Sequence, residues 1–117
     1  MRPLPAVLVV LVGLSGCATP PPIGARLPRN FEQATAAFDQ RVKTRFPVGS
    51  PESDLLAELK REKFKIGPVH DRSGRFSNDA IRGGGIGLTC NLQWEILWRS
   101  VDAKIVETAA TYYATCL

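Results

Sequence analysis

Three cysteines, a single histidine and a run of glycines carry most of the chemical potential of this 117-residue chain. Three is an odd number for a disulfide framework, so at least one of Cys17, Cys90 and Cys116 needs another use. His70 stands beside Asp71 without companion metal ligands nearby, which fits a lone surface histidine. Asp71 with Asp79, and Glu95 with Glu107, are the pairs that spacing offers as paired carboxylates. Nothing beyond spacing supports them, and Glu107 has a better partner in Arg99. Gly83-Gly84-Gly85-Ile86-Gly87 has the composition of a phosphate-cradling loop. Such a loop follows a strand and opens a helix, whereas here a strand follows, so a flexible turn is expected. No catalytic residue, metal site or cofactor site is assigned, and the chain reads as a non-enzyme.

The length allows one domain, and 44% hydrophobic with 22% charged residues is an ordinary globular composition. A net charge of +4 is too small a surplus to argue for nucleic-acid binding. Residues 1–16 have the layout of a secretory signal: Arg2, an apolar run from Leu4 to Leu14, then small residues before Cys17. The run is about half of the ~20 residues a membrane-spanning helix needs. Leu14-Ser15-Gly16-Cys17 resembles the lipobox of bacterial lipoproteins. That resemblance implies a diacylglyceryl thioether on Cys17, cleavage just before it and acylation of the new α-amino group. Each buried methylene contributes roughly 0.8 kcal/mol, so two or three acyl chains anchor firmly. By the sorting pattern of the lipoproteins it resembles, Ala18 after the cysteine implies export to the outer membrane, facing the periplasm.

The elements that follow are legible from periodicity. Residues 17–29 hold the lipidated cysteine and a proline-rich tether, expected to stand extended at ~3.1 Å per residue. The folded domain is expected over residues 30–117. Phe31, Ala34, Phe38, Val42 and Phe46 form one helical stripe, with Asn30 as its cap and Gln33 at the capping-box position. Pro47 and Gly49 end that helix. Ser50-Pro51-Glu52 opens a second, with a capping hydroxyl and proline at the first helical position. Leu55, Leu56 and Leu59 form its buried face, Phe64 lies near its exit, and Gly67-Pro68 closes it. The basic run Lys60-Arg61-Glu62-Lys63-Phe64-Lys65 reads as a solvated face complementing the helix dipole. Ile66–His70 and Phe76–Ile81 are candidate short strands.

Leu88 to Arg99 alternates apolar and polar residues, the pattern of a strand with one buried face. Ser100–Lys104 reads as a turn and Ile105–Leu117 as the returning strand. If Cys90 faces Cys116, the turn centres on Ala103. Trp94 then faces Tyr112, Leu92 faces Ala114 and Ile96 faces Ala110, while Arg99 meets Glu107 and Glu95 meets Thr111 on the other face. An exported protein sits where disulfides persist, so a Cys90–Cys116 bridge is expected. Trp94, Trp98 and Tyr112 are expected in the core beneath the helices.

The resulting fold class is α+β: two N-terminal helices packed on a small antiparallel sheet that ends in a disulfide-tied hairpin. With the lipobox, the helix opening Val48-Gly49-Ser50-Pro51-Glu52 and a Trp-rich C-terminal hairpin, residues 38–117 resemble the SmpA/BamE-like small lipoproteins. These share their fold with β-lactamase-inhibitor-like domains. The resemblance implies a non-catalytic module that binds another envelope protein, accessory to outer-membrane assembly or integrity, with the membrane as its other partner through Cys17. Neither nucleic acid nor a small-molecule substrate is expected. The alternative is a periplasmic inhibitor or binding module directed at a hydrolase such as lysozyme.

Overall fold

In the computed structural model, which describes residues 20–67, 76, 78–86 and 90–116, two helices lie on a four-stranded antiparallel sheet. Helix α1 spans Phe31–Arg45 and α2 spans Glu52–Arg61. The strands β1 (Lys65–Gly67), β2 (Asn78–Ile86), β3 (Cys90–Val101) and β4 (Lys104–Cys116) neighbour one another in chain order. Residues 1–19, with Cys17, and residues 70, 71 and 87–89 lie outside the described residues.

Helix α1 begins where its sequence says it should. The Asn30 side chain accepts the Gln33 N–H at 3.1 Å, satisfying one orphan donor of the first turn. Ala34, Phe38 and Val42 are fully buried, and Phe46 continues the stripe past the last turn. Phe31 is the exception: it is 45% exposed and stacks on Tyr112, with ring centroids 5.3 Å apart.

Helix α2 differs at both ends from the expectation. The Ser50 hydroxyl donates back to the Pro47 carbonyl at 2.6 Å, so it caps nothing; Pro51 is the capping residue. The Glu52 N–H instead finds the Ala103 carbonyl at 2.9 Å. The same linker pairs with the start of β4, Gly49 N–H to Ile105 O at 2.7 Å and Ile105 N–H to Ser50 O at 2.8 Å. The helix closes at Arg61, six residues before Gly67. Lys63 adopts φ 65°, and Phe64 N–H reaches Leu59 O while Lys63 N–H reaches Lys60 O. This is a Schellman stop made without glycine, sealed by Leu59 and Phe64, both in the core. Gly67 is thereby freed to end β1.

The expected strands near Ile66–His70 and Phe76–Ile81 correspond to β1 and β2; residues 68–70 and 77 lie outside the described residues, and β2 runs on to Ile86. The glycine run is a correction. Gly83, Gly84 and Gly85 pair with Gln93, Leu92 and Asn91 inside β2 rather than forming a turn. The long, strongly alternating β3 supplies a template that overrides the low strand propensity of glycine.

Between β3 and β4 the register is the one expected, from Cys90 opposite Cys116 through Trp94–Tyr112 and Ile96–Ala110 to Arg99–Glu107. The pairing then shifts at Arg99/Ser100, leaving Val106 as the extra residue of a bulge. The turn therefore lies on Asp102 and Ala103, both at positive φ (53° and 62°), the pattern of a tight primed hairpin. Trp94, Ile96 and Trp98 face the helices with Ala80, Ile105 and Ala110, and all are buried.

Candidate interaction surface

Of the hairpin aromatics, Trp94 and Trp98 are core, while Tyr112 is half-buried and packs against it. Trp98 is buried and donates its indole N–H to Glu52 at 3.1 Å, tying the start of α2 to the middle of β3. Trp94 lies 5.3 Å from Tyr112, ring to ring, as an inclined pair. Burial raises the Tyr112 pKa above its ordinary value. None of these rings forms an exposed binding platform.

The proline-rich segment is the larger surprise, because residues 20–28 dock on the domain instead of standing off it. Pro22–Gly24 form a single 3-10 turn, with Pro21, Ile23 and Gly24 buried. The Glu62 carboxylate accepts the Ile23 N–H at 2.8 Å. The Arg41 guanidinium donates to the carbonyls of Ile23, Ala25 and Arg26. Proline richness predicts an extended backbone, but Ile23 brings an apolar side chain that the core accepts, and two charged groups hold the strap backbone.

A second arrangement was not anticipated from the sequence. Thr35, Asp39 and Lys43 stand one turn apart along α1 and address the outer backbone of β4. Thr35 Oγ1 donates to Tyr112 O at 3.0 Å and accepts from Tyr112 N at 3.1 Å. Asp39 accepts the Ala110 N–H at 2.9 Å, and Lys43 donates to Thr108 O at 2.8 Å. These side chains occupy the positions an added strand would take, so β4 is a closed edge over residues 108–112. The signal available in the sequence was a polar stripe at four-residue steps beside the apolar one.

Of the candidate acid pairs, Asp71 with Asp79 lies partly outside the described residues, and Glu95 with Glu107 is not assembled. Glu95 and Glu107 belong to register pairs four residues apart along the strands, a separation of about 13 Å at the usual rise. Glu107 lies 4.0 Å from Arg99, as its register predicts. Asp79 is buried in β2, while His70 and Asp71 lie outside the described residues. Of the other acids, Glu58 is held by Arg45 at 2.9 Å and by Arg61. Among the described residues, no three of His, Cys, Asp and Glu cluster as a metal site. No described helix is long and apolar enough to cross a membrane. Lys60 and Arg61 fill the last turn of α2, where cations complement the helix dipole.

The chain matches no family model, no curated protein and no solved structure.

Proposed function

We propose that this protein is a lipid-anchored component of the bacterial envelope that acts as a non-catalytic protein-interaction module. Residues 1–16 are its signal, Cys17 carries the lipid, and the domain faces the periplasm from the outer membrane. The carrying observation is Leu14-Ser15-Gly16-Cys17 at the end of an apolar run. The module reading draws on the acids whose partners are known. Glu58, Glu62 and Asp39 are engaged in structural ties, to arginines, to the strap and to β4. The resemblance to SmpA/BamE-like lipoproteins supports a task in outer-membrane assembly or integrity. An all-β lysozyme-inhibitor barrel does not fit a chain with two helices.

A Cys90–Cys116 bridge belongs to the same proposal. Tyr112 points both its N–H and its C=O at Thr35, away from β3, so Trp94–Tyr112 is a non-hydrogen-bonded pair. The unbroken register makes Cys90–Cys116 another of this kind, with Cα atoms about 4.5 Å apart, within disulfide range. A loop of that length contributes roughly 3–4 kcal/mol. Crosslinking in intact cells tests the module: recovery of a defined envelope protein with the wild-type chain is expected. Recovery of none above background would overturn the reading.

A further inference from the structure

The hydrogen-bond parity that closes one edge of the sheet also identifies an open one. Trp94 turns its backbone N–H and C=O away from β4 and toward β2, so it forms a hydrogen-bonded pair with Arg82. One residue on, Gly83 points its N–H and C=O away from β3, and Gly85 does the same. On that side β1 pairs only as far as Lys65 opposite Ile81. The chain before Lys65 leaves the sheet in the Schellman turn at Lys63, whose backbone bonds return to α2. Among the described residues, nothing bonds the outer backbone groups of Gly83 and Gly85.

A groove of about 530 Å³ opens at this edge, on the face of the sheet turned away from the helices. Its lining includes three cations, Lys63, Lys65 and Arg82, against one carboxylate, the buried Asp79. Gly83 is exposed, and a Cβ built on it meets nothing within 4 Å, so the sheet face over this position is open. We infer that β2 accepts an extended, acidic polypeptide segment as an added strand along Gly83–Gly85. The backbone groups of the two glycines give the ladder, and the exposed Lys63 and Lys65 select for glutamate or aspartate side chains. This rests on the interaction-module reading and gives the partner its chemistry. β3 cannot supply the site because it is paired on both sides, and α1 closes β4 over residues 108–112.

The test uses the full chain in detergent and a hexapeptide alternating glutamate with valine. Titration should shift the amide resonances of Gly83 and Gly85, and a peptide alternating lysine with valine should not. Gly83→Ala should bind as wild type. Gly83→Pro, which removes an outward N–H, should weaken binding about tenfold. Lys63→Glu with Lys65→Glu should weaken it at least as much and remove its salt dependence; this pair keeps the test sharp if proline perturbs folding. Equal binding of both peptides, shifts confined to other residues, or shifts produced only by phosphatidylglycerol vesicles would overturn the inference. In cells, an envelope protein crosslinked equally well by wild type and the double variant would overturn the edge and leave the module standing. A wild-type chain that crosslinks nothing would overturn the module instead.

Discussion

Thr35 and Tyr112 exchange two hydrogen bonds, hydroxyl to carbonyl at 3.0 Å and amide to hydroxyl at 3.1 Å, across 77 residues of chain. One threonine thus satisfies both outer backbone groups of a β4 residue, as a neighbouring strand would. Thr35→Val keeps the shape and removes both bonds. It should destabilise the domain by about 1–3 kcal/mol and speed amide exchange at Tyr112, with Thr35→Ser restoring protection. Unchanged exchange in Thr35→Val would remove the edge-closing role.

The docked strap depends on Gly24, because a Cβ there would lie 2.5 Å from both Cδ1 and Nε1 of the Trp94 indole. Gly24→Ala should release the strap and expose the bonds after Arg26 and Arg29 to trypsin, at a cost of about 1–3 kcal/mol. Glu62→Ala should act in the same direction by orphaning the Ile23 N–H. Trypsin resistance equal to wild type in both variants would show that the strap is held by other means.

Ala103 sits at φ 62° in the hairpin turn, a conformation that glycine adopts without strain. Ala103→Gly should therefore raise stability by about 0.5–1 kcal/mol, the relief of strain exceeding the extra entropy of the unfolded chain. A urea midpoint that moves down would contradict this.

Burial, followed by the charges of Glu95 and Asp79, raises the Tyr113 pKa above its ordinary value. The folded protein holds the phenol proton more tightly than the unfolded chain does, so the unfolded chain ionises first. Stability is then level below about pH 10 and declines as pH rises beyond it. Urea midpoints at pH 9 and pH 11 should fall less for Tyr113→Phe than for wild type. An equal fall would assign the alkaline loss to other groups.

Much of the fold was written in local pattern. The α1 stripe, the Asn30 cap and the β3 alternation each depend on short-range spacing, and the cysteines pinned the β3–β4 register from Cys90 to Arg99. What the pattern missed was tertiary. Ser50 lost its capping role because the Ala103 carbonyl reached the Glu52 N–H first. The glycines of β2 became a strand because β3 offered them a partner. Ile23 drew a proline-rich segment into the core, and Arg41 and Glu62 fixed it there. The closing of β4 by Thr35, Asp39 and Lys43 needed two elements far apart in sequence to meet. Polar residues on a helix carry no mark of what they will face.

Intact-mass measurement of the protein extracted from envelope membranes tests the anchor most directly. The expected species begins at Cys17, lacks residues 1–16, and carries a diacylglyceryl group with an acylated amino terminus; Cys17→Ser should leave the chain unprocessed and unlipidated. A mature chain that begins elsewhere, or an unmodified Cys17, would contradict the lipoprotein reading on which the envelope role rests.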